Sequence, residues 1–278
     1  MSEHDDEFEE FTGYAIDEHG EDDTEELDGY AIKFAHAPEA GSLHDEFDPT
    51  PNLQIEHQGK WPSCTGNAMT TVMECIAGLQ AGSWDQIPQL SRKFAWEAGQ
   101  KEWIGRINWR DGCTIAAVVK SAMKNGVCRA SVAPYEFGDQ SLNRTAYADA
   151  ENYRAQNQIG IESYDAARVF LDGGYGGIVA GVNWTTKMSE CDGRMDSRQV
   201  SERHRSVGGH AVAIVGFDKN GDLLLVNSWG RQWADNGVAR VTPDAFDYLC
   251  GRPYTVMRGI TDLTGFDKVR TLESWGMG

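Results

Sequence analysis

Gln58-Gly59-Lys60-Trp61-Pro62-Ser63-Cys64-Thr65-Gly66-Asn67-Ala68 is the stretch whose reading decides the fold. A glutamine precedes a cysteine by six positions, with a glycine and a proline between them. Straight after the cysteine, Ala68, Met69, Val72, Met73, Ile76 and Leu79 recur at the spacing of one buried helix face. The pattern predicts a helix running to about Gly78 with Cys64 at its N-terminus. Backbone N–H groups and the helix dipole at such a place favour an anion, so they favour the nucleophilic thiolate. Gln58 can bring its side-chain NH2 beside the Cys64 N–H, and two donors aimed at one point make an oxyanion hole.

A thiolate nucleophile needs a base, and the base needs a group to orient it. Both are offered downstream, in Gly208-Gly209-His210-Ala211-Val212 and in Val226-Asn227-Ser228-Trp229-Gly230. Of the three histidines in the body (His57, His204, His210), only His210 opens an apolar strand after two glycines. Cys64 and His210 stand 146 positions apart, inside the interval of one known Cys/His arrangement.

Gln58, Cys64, His210, Asn227-Ser228-Trp229-Gly230 and Trp233, in that order, resemble the papain-like (C1) cysteine peptidases. Leu90-Ser91, the Asp111-Gly112 turn, Asn125-Gly126-Val127 and Pro134-Tyr135 fit as well, and the resemblance covers roughly residues 50 to 255. It implies a cysteine endopeptidase. His210 would take the Cys64 proton, Asn227 would fix the imidazole, and Trp229 would cover their hydrogen bond. Trp233 would line the leaving-group side, and Gly112 would lie where substrate backbone approaches. It departs from the family at Trp61, where secreted members carry a second cysteine, and at Thr65, where an aromatic residue is usual. Without Cys64 the cysteines number five, and none forms a Cys-x-x-Cys or Cys/His cluster. The expectation is a disulfide-poor protein nearest the bacterial, archaeal or viral members, with no metal site and no cofactor.

The formal net charge of −18 is concentrated at one end. Residues 1 to 48 hold 18 acidic side chains and one basic one, Lys33, whereas the rest is close to balanced. An acidic arm and a neutral body argue against nucleic acid as a partner. The arm reads as disordered and solvating, as a pro-segment over the cleft, or as a docking segment. Its repeated Gly13-Tyr14-Ala15-Ile16 and Gly29-Tyr30-Ala31-Ile32 would place Tyr14/Ile16 and Tyr30/Ile32 against a protein partner. No signal peptide is evident, and no apolar run reaches the roughly 18 residues of a membrane span. A cytoplasmic protein, or one carried within a virus particle, is expected, with no membrane partner.

Pro49-Thr50-Pro51-Asn52 reads as the start of the catalytic domain, residues 49–258. Helical patterns over 90–100 and 114–124 follow the nucleophile helix, giving a helical lobe over about 58–138. Residues 139–160 read as a polar surface crossing, and residues 185–207 as a long surface loop. Gly173-Gly174-Tyr175-Gly176-Gly177 joins a helix (164–171) to a strand (178–182), the reverse of a phosphate-binding loop, so it reads as a turn. Strands over 211–217 and 223–227 meet at an Asn220-Gly221 hairpin, and 237–241 is another strand. The β lobe spans about 160–258, and residues 259–278 form a tail. The fold class is α+β: a helical lobe and an antiparallel sheet or barrel lobe, with a cleft between them. Deleting residues 1 to 47 is expected to leave this fold intact. Besides a peptidase acting on proteins or peptides, two readings stand. One is a structural or adaptor component of a larger assembly, such as a virus particle. The other is an acyl-transfer enzyme, against which the Asn227 run argues.

Overall fold

The computed structural model describes residues 43–85 and 87–265. The repeated tetrapeptides of the arm lie outside the described residues. In chain order the elements are α1 (Cys64–Ala81), α2 (Arg92–Ile104), α3 (Ile115–Lys124), α4 (Arg144–Ala150), β1 (Ala155–Gly160), α5 (Tyr164–Asp172) and β2 (Gly176–Thr185). They continue with α6 (Thr186–Ser189), β3 (Arg194–Met195), β4 (Ser206–Phe217), β5 (Leu223–Val226), β6 (Val238–Val241), α7 (Pro243–Cys250) and β7 (Val256–Leu263).

Apart from α1, the helices begin where side-chain oxygens satisfy first-turn N–H groups. Ser91 accepts from Phe94 N, Thr114 from Ala117 N, Asn143 from Ala146 N and Ser163 from Ala166 N. α1 is buried along its length except at Ala81, and it ends at Gly82 in the left-handed conformation (φ 65°). α1 lies between α2 and the sheet strands β2, β4 and β7, which enclose its polar residues Asn67 and Glu74 along with its apolar ones. Its contact with α2 is close enough that a Cβ on Gly66 would sit 2.3 Å from the Arg92 carbonyl oxygen.

The sheet has seven strands in the order β1-β7-β2-β4-β5-β6-β3. Every neighbouring pair is antiparallel except β3 and β6. β4 and β5 form the hairpin expected at Asn220-Gly221, with Gly221 at φ 80°. The glycine-rich run from Gly173 links α5 to β2 as a turn.

Three expectations are corrected. Residues 139–160 contain a helix and an edge strand. α4 buries only the small Ala146 and Ala150, and β1 buries Gln158, so neither shows an apolar period. Residues 185–207 are anchored by buried Met188, Met195 and Val200, too widely spaced to make a pattern, and they include α6 and β3. The boundaries at 49 and 259 both cut through packed structure. Phe47, 2% exposed, exchanges two 2.9 Å backbone hydrogen bonds with Phe217 at the end of β4. A Cβ on Gly216 would lie 2.2 Å from the Phe47 carbonyl oxygen. His44 N donates to Asp172 Oδ1 at 2.7 Å, and Arg168 bonds the same carboxylate at 3.0 Å. Removing residues 1 to 47 would delete that ring from the core, a loss on the order of 3–5 kcal/mol. At the other end β7 runs to Leu263, between β1 and β2.

Candidate active site

Two short segments of unlike origin are laced together at the site. The extended run Glu56–Gln58 lies antiparallel to Ser228–Gly230. Gln58 N donates to Ser228 O (2.8 Å), Gly230 N donates to Glu56 O (2.9 Å), and His57 bridges to Trp229. The loop that leads into Cys64 is thereby fixed to the run that follows Asn227. Gln58 is fully buried. Its Oε1 accepts from Ser228 Oγ at 2.7 Å, and its Nε2 donates to Trp61 O at 2.9 Å. Cys64 opens α1 and is buried. Its sulfur lies near enough to Cys113 and Tyr135 to raise the titration of both. Among the described residues no disulfide joins any of the six cysteines.

His210 sits in β4, paired with Val182 of β2. Its Nε2 lies 2.8 Å from Asn227 Oδ1. Which imidazole nitrogen carries the proton follows from the neighbours. Ser228 N donates to the same Oδ1 at 2.8 Å, which identifies that atom as the amide oxygen. The oxygen can only accept, so Nε2 carries the hydrogen. In the neutral ring Nδ1 is then the bare acceptor. Nδ1 is buried and has no hydrogen-bond partner among the described residues. Burial pushes the His210 pKa down to about 4, against the Asn227 hydrogen bond, which raises it. Taken alone, the ring is therefore neutral at pH 7, with a lone pair on Nδ1.

Three indoles enclose this ring. The Trp229 centroid is 4.8 Å from that of His210, the planes tilted by 34°. Trp233 meets Trp229 edge-on at 6.1 Å, and its Nε1 donates to Ser189 O at 3.1 Å. Trp184, not foreseen in the sequence, packs edge-on against His210 at 4.9 Å. It is two residues along β2 from Val182, which makes it the diagonal neighbour of His210 on the same sheet face. Only a β2–β4 register would have revealed it.

Gly112 stands apart from this cluster, at the turn before α3. Its carbonyl accepts from Gln100 Nε2 (3.0 Å), which also reaches Asn108 O and Asp111 O. Its neighbour Cys113 lies close enough to Cys64 to feel its charge, which brings the turn to the helical side of Cys64. Exposed His57 turns inward on its own loop, accepting from Gly59 N at 2.9 Å through Nδ1. Among the described residues no group of three or more His, Cys, Asp or Glu gathers to hold a metal, and no helix is long and apolar enough to cross a membrane.

Comparison with known proteins bears on this arrangement. A sequence search of curated proteins finds no match. The fold is similar to that of xylellain, a cysteine protease from Xylella fastidiosa (TM-score 0.70, 21% identity, 94% of this chain and 97% of that one). It is also similar to procathepsin L 3 of the Tenebrio molitor larval midgut (TM-score 0.64, 19% identity, 84% and 74%). A third likeness is to the Carica candamarcensis cysteine protease CMS1MS2 in complex with E-64 (TM-score 0.59, 16% identity, 78% and 98%). The sequence profile of the papain family cysteine proteases matches residues 54–257, the greater part of the chain including Gln58, Cys64, His210 and Asn227, and this chain belongs to that family.

Proposed function

We propose that the protein is a cysteine endopeptidase whose nucleophile is Cys64 and whose base is His210, oriented by Asn227. The observation that carries this reading is the tautomer. With Nε2–H held by Asn227 Oδ1, the imidazole presents a lone pair at Nδ1, buried and without another partner among the described residues. In this reading His210 Nδ1 takes the Cys64 thiol proton. The thiolate then supplies the negative charge that a buried imidazolium needs. The sulfur attacks a peptide carbonyl carbon, and the resulting oxyanion is held by Cys64 N–H and the Gln58 side-chain amide. As the tetrahedral species collapses, His210 gives the proton to the leaving amine. Water attacks the thioester with His210 again as base, releasing the acid and restoring the thiol. Trp229 and Trp184 keep water from the His210–Asn227 bond. Trp233 and the Gly112 turn are assigned to substrate contact. The acidic arm is assigned the part of a pro-segment, in keeping with similar structures that are themselves proforms.

The test is labelling by E-64, the epoxide bound in the Carica and Ananas comosus structures. Intact mass is read on the full chain, on Cys64→Ala and on a chain starting at residue 43. The expected result is a single adduct that is absent from Cys64→Ala. Labelling confined to the shortened chain supports the pro-segment. Absence of label from every form with the fold intact ends the peptidase reading.

A further inference from the structure

Ser63 stands at the N-cap of α1, yet its side chain makes no capping hydrogen bond. Its Oγ lies instead 2.6 Å from Tyr135 Oη, contributed from a loop 72 residues away. The directions of the hydrogen bonds around this pair follow from their ends. Tyr135 Oη is 2.8 Å from the Gln58 carbonyl oxygen, which can only accept, so the single phenolic hydrogen goes there. Ser63 must then donate to Tyr135. Ser63 Oγ in turn accepts from Asn67 Nδ2 at 3.0 Å, and the same amide reaches Ser63 O at 2.9 Å. The Asn67 orientation is set by Arg92 Nη1, which donates to Asn67 Oδ1 at 3.1 Å. The chain therefore runs one way, from Asn67 through Ser63 and Tyr135 to Gln58.

The chain is held from outside. The Arg92 guanidinium lies 3.8 Å over the Tyr135 ring, donates to His57 O at 3.1 Å and pairs with Glu56 at 2.7 Å. Phe137, two residues past Tyr135, stacks on Trp61 at 3.9 Å. Burial pushes the Tyr135 phenol up to about 12, so the hydroxyl keeps its hydrogen near neutral pH. The two ends of the relay are Gln58 and the residue next to Cys64.

We propose that Tyr135, acting through Ser63, is a positioning residue of the oxyanion hole, setting the separation between the Gln58 and Cys64 donors. This inference rests on the reading of Gln58 and Cys64 given above. A relay of two hydroxyls closes the Gln58–Ser63 loop across its mouth. Loosening it displaces one donor from the other while leaving the sulfur on α1.

The experiment compares Tyr135→Phe and Ser63→Ala with the wild type, each as the full chain and as the chain starting at residue 43, in two reactions, with Tm as the check on folding. Hydrolysis of fluorescent casein forms an oxyanion. Alkylation of Cys64 by iodoacetamide is a displacement at saturated carbon and forms none, so it reports the thiolate alone. Both variants are expected to lose about tenfold or more in kcat, since removing an oxyanion donor outright costs about 10²–10³-fold. KM, the alkylation rate and its pH profile are expected to stay as in the wild type. Retention of kcat within about twofold in either folded variant overturns the proposal. So does an alkylation rate that falls in step with kcat, because the residue would then be supporting the thiolate or the fold. If Tyr135→Phe does not fold, Ser63→Ala breaks the same chain one link away and decides the question. A wild-type protein that is alkylated at Cys64 neither as the full chain nor as the chain starting at residue 43 removes the reading of Cys64, and this inference with it.

Discussion

Around Cys64 the helical half places side-chain hydrogen bonds: Asn67, Ser63, Tyr135, Arg92 and Glu56 form one connected set. Around His210 the sheet half places three indoles and one amide. The polar set fixes where a backbone loop lies. The aromatic set leaves the imidazole with a single firm hydrogen bond and excludes water from the rest. Each half also hides a titratable group, and the two respond to pH in opposite directions. Burial raises Glu74, fully enclosed in α1, to about 8, and lowers His210 to about 4. Glu74 binds its proton more tightly folded than unfolded. Its contribution is whole below about pH 4.5 and is lost as pH rises through about 8. His210 is the reverse. The unfolded chain protonates first, so stability is lost as pH falls from about 6.5 to about 4.

The contrast can be broken most forcefully at His210. His210→Ala should lower kcat/KM by roughly 10²–10⁴-fold while leaving the hydrogen-bonded half standing. Steady-state hydrolysis of fluorescent casein and the near-UV circular dichroism of the aromatic cluster check the two parts. A smaller effect is expected from Glu74→Gln. Leu90 N donates to Glu74 Oε1 at 2.7 Å, a bond that a glutamine oxygen accepts equally well. The variant should match the wild type near pH 4.5 and exceed it by a few kcal/mol near pH 8, read from urea midpoints at the two pH values. Equal midpoints at both would remove Glu74 from the comparison. The smallest change is expected from Trp184→Phe. The Trp184 indole N–H is buried without a hydrogen-bond partner among the described residues, so its removal offsets part of the lost packing. Stability should change by about 1–2 kcal/mol. The His210 pKa should rise from about 4 toward its ordinary value, as followed by imidazole proton shifts in a Cys64→Ala background.

What was legible beforehand was what the chain writes locally. Gln58, Cys64 and the α1 face lie within one short stretch, and Asn227 is followed at once by the residues that hold it. The hairpin at Asn220-Gly221 is likewise a local instruction. Trp184 gave no signal because it meets His210 only through the register of β2 on β4. Tyr135 fits the family resemblance beside Pro134, but the task of its hydroxyl depends on a loop that Lys93 and Glu97 of α2 tie down. Lys93 Nζ donates to Glu136 O and Asp139 O, and Glu97 Oε2 accepts from Ser141 N. β1 was missed because an edge strand with polar residues on both faces carries no period of two. The acidity of the arm masked Phe47, a core residue set among Asp and Glu.

The placement of β7 bears on how the protein is made. This strand is the last in the described sequence, yet it lies inside the sheet, between β1 and β2. A ribosome emits α1, α2 and α3, with Cys64, long before residue 263. The strand bearing His210 also emerges before its sheet can close. Leu263 N reaches back to Gln80 Oε1 at 2.7 Å, joining the end of β7 to the end of the helix that Cys64 opens. Pairings of such long sequence separation form late and slowly. A nascent chain therefore carries a cysteine and a histidine that are not yet held in a completed sheet, and the order of synthesis itself delays the appearance of a proteolytic centre beside the ribosome.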